Sequence, residues 1–260
     1  MNSGTRVWLW PNLLSLDAPV VALLWQLLFV RCFHASLGFP VAMLLGMSVW
    51  LIYAADRMLD AWRGADLQAR HQFYRRHWRG VAVIWFALFL VCAWIAWTSL
   101  SSATLGRGSL LAAAAGLYLV AVHAFPKIWR RPGWKEASVS VLFALGASLA
   151  AWSAIASWSD ILSIALFCVL CWMNCTTIED WEQGRPARGA VLGLAVVVAV
   201  MAVVMSGNRP VLACAETASA CGLVFLDRYW WRLSPDQLRV LADVALLTPI
   251  LFLQVAGKLA

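Results

Sequence analysis

Nine stretches of about 20 mostly apolar residues, divided by short charged or Pro- and Gly-bearing breaks, fill this 260-residue chain, and each is long enough to carry a helix across about 30 Å of hydrocarbon. They run from 15 to 34, 37 to 59, 80 to 99, 108 to 125, 137 to 157, 160 to 178, 188 to 206, 209 to 227 and 238 to 259. Little chain is left between them. The expected fold is therefore all-α: a polytopic membrane protein with a nine-transmembrane-helix bundle, a single domain over residues 1 to 260. Composition agrees, with 63% hydrophobic and 13% charged residues and a mean hydropathy of +0.76. A soluble globule of this size needs roughly 25% charged residues to cover its surface. The seven cysteines all lie in apolar stretches, where a thiol packs as a small hydrophobe, so a secreted disulfide scaffold is excluded as well.

Nine spans put the N-terminus and the breaks after spans two, four, six and eight on one side of the membrane. Sixteen of the 20 Lys and Arg fall there, and only Arg31, Arg107, Arg209 and Lys258 fall on the other. Positive charge accumulates in cytoplasmic loops, so this bias supports the alternation and a cytoplasmic N-terminus, as expected for a bacterial inner membrane protein. It also accounts for the net charge of +7 without nucleic acid. Arg6 alone precedes the first apolar stretch, which reads as a retained span and not a signal peptide. Of the 17 tryptophans, Trp8, Trp10, Trp62, Trp78, Trp129, Trp134, Trp181, Trp230 and Trp231 lie near span ends, where an indole favours the headgroup region. The small residues from Ala144 to Ala151 place span five inside the bundle.

In such a chain the informative residues are carboxylates at or within apolar segments, because each costs about 2.5 to 3.5 kcal/mol at mid-bilayer on an insertion scale. Asp56 and Asp60, in Y-A-A-D-R-M-L-D at the end of span two, share one helical face one turn apart. Their mutual repulsion calls for a divalent cation or for arginines such as Arg57 and Arg63. Glu179, Asp180 and Glu182 crowd the end of span six, on the same side by the alternation. Helical bundles build divalent-metal sites from facing acidic helices, so Asp56, Asp60, Glu179 and Asp180 are the expected ligands of Mg²⁺. Acidic clusters, adjoining basic loops and an apolar bundle suit a ligand with an anionic head and a greasy tail, such as a polyprenyl diphosphate. Tyr53 and Trp50 are placed to shield a developing allylic cation, if they are not ordinary packing residues.

The chain resembles the UbiA superfamily of intramembrane prenyltransferases, nine-helix bundles with Asp-rich motifs after helices two and six. The first family motif, NDxxDxxxD, is matched by I-Y-A-A-D-R-M-L-D, which keeps Asp56 and Asp60 and carries Ile52 and Tyr53 in place of the Asn and first Asp. The second, DxxxDxxxG, is matched with Thr176 at the first Asp, then Asp180 and Gly184, with Glu179 and Glu182 close by. Ser15 to Val21 is similar to the opening segment of helix one without its Arg, and Ala69 to Trp78 stands where the family has an Arg-Pro-Leu element. Tyr118 to Glu136 resembles the Tyr-to-Lys stretch that binds the diphosphate, which implies that Tyr118, Lys127, Arg130 and Arg131 contact substrate, beside Arg63 and Tyr53.

The resemblance implies Mg²⁺-dependent transfer of a prenyl group to a lipophilic acceptor, aromatic acceptors included, with Asp56, Asp60 and Asp180 as the catalytic set. Cyclisation of the prenyl chain would use the same site. The missing motif residues also fit a bundle that has lost catalysis and serves as a lipid-binding or assembly subunit. Glu216 and Asp243 lie within spans eight and nine, where each either bonds a neighbouring helix or lines a cavity. Their use as an ion path in a transporter would call for broken helices, which the sequence does not announce. His71, His77, His34 and His123 show no metal-ligand spacing such as HExxH. Ser234, Pro235 and Asp236 read as the start of a helix.

Overall fold

The computed structural model describes residues 7–63, 69–125, 133–187, 190–205 and 208–259. Twelve α-helices follow one another: α1 (Trp10–Leu13), α2 (Asp17–Cys32), α3 (Phe39–Arg63), α4 (Ala69–Arg76), α5 (Trp78–Ser99), α6 (Ser102–Ala124), α7 (Trp134–Ser148), α8 (Trp158–Glu182), α9 (Ala190–Met205), α10 (Pro210–Arg228), α11 (Pro235–Ala245) and α12 (Pro249–Leu259). Short 3-10 turns cover Val7–Leu9, Leu149–Ala154 and Trp230–Arg232, and no strand occurs among the described residues. Among the described residues, seven helical segments are long and apolar enough to cross a membrane: α3, α5, α6, Trp134–Ala154, α8, α10 and Pro235–Gly257. The stretches expected to be spans one and seven are apolar helices of 16 residues each, α2 and α9.

Outward faces are apolar, the reverse of a soluble protein. On α5, Val83, Phe86, Leu90, Trp94 and Trp97 are all exposed, as lipid-facing residues must be. Trp62, Trp78, Trp134, Trp158 and Trp231 lie exposed at or near helix ends, as a headgroup belt requires. Trp181 does not join them: it is buried and donates its indole N–H to Asp227 Oδ1 at 3.0 Å.

The chain divides into two compact units, one of residues 1–23 and 38–128, the other of residues 24–37 and 129–260. In the first, α3 packs against α4, α5 and α6. Gly46 lets Leu23 come close, since a Cβ there would meet its Cδ1 at 3.2 Å. Ala54, Ala61 and Tyr74 form a buried cluster that Trp50, Met58, Phe73, Val81 and Trp85 surround. Residues 69 to 76, expected to lie in a basic loop, form α4 instead, because Tyr74 reaches this cluster and its hydroxyl bonds Ser15 Oγ at 2.8 Å. Trp50 Nε1 donates to the Leu14 carbonyl at 2.9 Å and Arg57 donates to that of Asn12, so α3 holds the segment before α2. That segment turns sharply, with Ser15 in the left-handed region at a φ of 58°.

In the second unit, Phe167 of α8 stacks on Trp25 at 4.3 Å between ring centroids and meets Phe29 edge-on at 5.6 Å. Ala144, Ala147, Ser148 and Ala151 are buried, as the small-residue run predicts. The Ser234 cap is formed, with its hydroxyl accepting from Gln237 N and the Gln237 side chain accepting from Ser234 N, so the first turn is closed by a reciprocal box. The last apolar stretch is interrupted between α11 and α12, because Pro249 has no N–H to continue the ladder. Trp25 Nε1 binds the Leu246 carbonyl at the break at 2.9 Å, and Thr248 Oγ1 donates to the Ala215 carbonyl at 2.9 Å. The sequence reading, which found no broken helix, missed this one.

Arg209 joins three elements. Its Nε donates to Asp160 Oδ1 at 2.6 Å, its Nη1 to the Cys32 carbonyl at 2.8 Å, and its guanidinium lies 5.4 Å from the Phe33 ring centroid. Asp160 is fully buried and also caps α8 by accepting from the Ala156 and Ser157 amides. Glu216, on α10, is fully buried, yet no hydrogen bond reaches either carboxylate oxygen. The expected bond from Glu216 to a neighbouring Ser, Thr or Arg is not made, and Ser219 pairs with Thr248 at 2.6 Å instead.

Candidate functional site

The site lies in the first unit, where α3 carries Asp56 and Asp60 near its end. A 25-residue helix without an internal break keeps residues four apart on one face, so both carboxylates project to the same side. Their exposures are 29% and 33%, so about a third of each side chain reaches the surface. Helix α6, packed on α3, brings His123 to them from its last turn. His123 Nε2 stands 3.4 Å from Asp60 Oδ1 and 3.9 Å from Asp56 Oδ1. The three ligand atoms lie within 4.8 Å of one another.

The imidazole is fixed from behind. Its Nδ1 is 2.9 Å from the Leu119 carbonyl, and a carbonyl can only accept, so Nδ1–H donates there and Nε2 is the ring nitrogen that faces the aspartates. His123 is only 9% exposed, and Nε2 is buried without a hydrogen-bond partner. A backbone carbonyl on one ring nitrogen, with the other nitrogen unbonded, is the arrangement that orients a metal-binding histidine.

A cavity of about 640 Å³ opens beside the same end of α3, lined by Met58, Leu59, Ala61, Trp62, Tyr74, Arg75 and Trp78. Its volume is in the range of small-molecule sites, about 300 to 1,000 Å³, and Arg75 is the one charged side chain in a mostly apolar lining. Leu59 and Ala61 flank Asp60 in sequence, so the cavity and the acidic pair lie near the same end of α3, although neither aspartate lines the cavity.

The other expected site residues are placed as follows. Tyr53 is half-buried on α3, one turn before Asp56, and Tyr118 is buried on α6. Arg63 is the last residue of α3. Lys127, Arg130 and Arg131 lie outside the described residues. In the second unit, Glu179, Asp180 and Glu182 occupy the last turn of α8. Asp180 accepts from Arg185 Nε at 2.7 Å, Glu182 is ion-paired with Arg239, and Glu179 accepts from Gln183 Nε2 at 3.1 Å.

Sequence reasoning passed over two members. His123 is separated from the aspartates by most of two apolar stretches, and its one sequence signal is its position near the end of the stretch 108 to 125, which the charge alternation assigns to the same side as the end of 37 to 59. Arg75 was hidden in a segment read as loop.

The fold defines an integral membrane protein of the polytopic helical class. Set beside protein-family models, curated proteins and solved structures, the chain matches none of them.

Proposed function

We propose that this chain is a UbiA-like prenyltransferase of nine membrane spans with a cytoplasmic N-terminus, acting within a bacterial inner membrane on a polyprenyl diphosphate and a lipophilic acceptor. The observation that carries the reading is the partly exposed Asp56 and Asp60 pair near the same end of α3 as an apolar cavity lined by Arg75. Acid, base and grease at one helix end match a ligand with an anionic head and an apolar tail. Asp56 and Asp60 fit a divalent cation, with Mg²⁺ the first expectation, because their carboxylate oxygens converge within bridging distance. Such a cation, when bound, offsets negative charge on a departing diphosphate. Arg75 takes the diphosphate oxygens, and the walls around Met58, Leu59 and Trp62 take the tail and exclude water. The allylic C–O bond breaks with both electrons leaving on the diphosphate, the acceptor supplies the pair for the new bond, and the acceptor's proton passes to solvent or to a nearby base.

Thermal unfolding of the detergent-purified protein tests this. Farnesyl or geranylgeranyl diphosphate with a divalent cation is expected to raise Tm, and Asp56→Ala to abolish the rise while the protein still folds, because a ligand that binds only the native state must stabilise it. An equal rise in Asp56→Ala would overturn the assignment. Product analysis with a candidate acceptor then separates transfer from cyclisation of the prenyl chain.

A second reading has its own support. Asp180 and Glu182 are engaged in ion pairs with Arg185 and Arg239, and the motif residues Ile52, Tyr53 and Thr176 offer no carboxylate. This favours a non-catalytic bundle that binds lipid or assembles with a partner. Under it, no prenyl diphosphate shifts Tm, and the wild type co-purifies with a second protein.

A further inference from the structure

We infer that His123 completes a three-ligand metal site with Asp56 and Asp60, and that the nitrogen ligand makes this site select Mn²⁺ or Zn²⁺ over Mg²⁺. From the preceding section the inference takes only that the two aspartates hold a cation. It requires neither a prenyl diphosphate nor any reaction.

The acidic pair alone would not justify this, since paired carboxylates are common on helix ends. The independent observation is the imidazole. His123 is more than nine-tenths buried, its Nε2 has no hydrogen-bond partner, and that nitrogen is aimed between two carboxylates. With Nδ1–H donated to Leu119, Nε2 is left to meet the carboxylates, and its ligand atom lies within 4.8 Å of theirs, where one cation can be shared by all three.

The spacing fits an ion. Bonds of about 2.0 to 2.2 Å to nitrogen and oxygen set neighbouring ligand atoms about 3.0 to 3.5 Å apart in octahedral or tetrahedral coordination. Nε2 and Asp60 Oδ1 are already at 3.4 Å, and Asp56 Oδ1 needs to approach by only a few tenths of an ångström. Three protein ligands on one side, with the aspartates about a third exposed, leave the remaining positions open to water or substrate oxygens, as in catalytic metal sites.

The donor set decides the metal. Mg²⁺ and Ca²⁺ favour all-oxygen sites and keep their waters, while an imidazole nitrogen draws the site toward transition cations. Two carboxylates and one imidazole therefore suit Mn²⁺ or Zn²⁺. The two helices that carry the ligands pack on each other within one unit.

The test uses the full-length protein in detergent, stripped of metal with chelator and titrated with Mn²⁺ alone, read by electron paramagnetic resonance. One Mn²⁺ is expected to bind per chain, displaced by about equimolar Zn²⁺ but only by a hundred-fold or greater excess of Mg²⁺. Pulsed measurement of the bound ion should show ¹⁴N coupling, which His123→Gln removes together with at least a ten-fold loss of Mn²⁺ affinity. Absence of ¹⁴N coupling in the wild type overturns the inference even if His123→Gln does not fold. Coupling that persists in a folded His123→Gln, or Mg²⁺ competing at equal concentration, overturns it as well. Cation binding that depends on Asp56 but shows no nitrogen coupling would defeat the histidine and leave the proposed prenyl transfer standing. Loss of stabilisation by prenyl diphosphate with intact nitrogen coupling would do the opposite.

Discussion

At the scale of single residues, the first unit shows how a buried polar atom is either matched or left aimed at something. Tyr74 is matched: its hydroxyl meets Ser15, and burial is the main cause that pushes its phenol above the ordinary range, with the Ser15 hydrogen bond opposing. Because the folded state holds the phenol proton more tightly than the unfolded chain does, stability is full below the ordinary phenol range and falls as pH climbs through the raised value. Tyr74→Phe is therefore expected to lose about 1 kcal/mol at neutral pH, the worth of one hydrogen bond, and to weaken the alkaline fall in Tm; a melting series from pH 7 to 11 reads both. The legibility of the site divides along the same lines. Asp56 and Asp60 could be found because a helix turns sequence spacing into a shared face, a local rule. His123 could not, because its partnership depends on how α6 lies on α3, and no periodicity encodes the meeting of two helices that far apart in the chain.

At the scale of elements, α4 is the instructive case. Its sequence A-R-H-Q-F-Y-R-R is polar enough to read as loop, and what makes it a helix is tertiary: Tyr74 is anchored among Ala54, Ala61 and Ser15, while Arg75 and Arg76 remain exposed. The same anchoring presents Arg75 to the cavity. Arg75→Ala is expected to weaken stabilisation by a prenyl diphosphate about ten-fold in apparent affinity, in line with loss of one partly exposed charged hydrogen-bond donor, while Tm without ligand stays unchanged. Equal ligand affinity in the variant would remove Arg75 from the site. Other elements were legible to different degrees. The start of α11 could be read from Ser234 and Pro235, since capping is chemistry local to one turn. The break before Pro249 was not read, although Thr248 and Pro249 announce it, because a proline within an apolar run is tolerated wherever a neighbour takes up the released carbonyl, and that neighbour, Trp25, comes from the other end of the chain.

At the scale of the whole molecule, the apolar outer faces and seven long helices settle the solvent of this protein, and the sequence was sufficient for that because bilayer thickness translates directly into run length. The count of nine spans depends on α2 and α9, whose 16 residues are short for the task. If α2 crosses, the turn at Gly38 lies on the side opposite the N-terminus. A topology reporter inserted after Gly38 is expected to read as non-cytoplasmic, with one at the N-terminus cytoplasmic, and a cytoplasmic reading at both would remove α2 from the spans. A last consequence follows from Arg209. The guanidinium that neutralises Asp160 is supplied 49 residues later in the chain. At about 5 to 20 residues per second of translation, the nascent protein carries that carboxylate without its counter-ion for roughly 2 to 10 s after Asp160 is made. During that interval the beginning of α8 cannot settle against the end of α2, because an unpaired buried charge costs about 3 to 5 kcal/mol. A chain cut short before residue 209 is therefore expected to keep that carboxylate without its counter-ion, and greater protease sensitivity of such a truncation than of the full chain is the measurement that checks it.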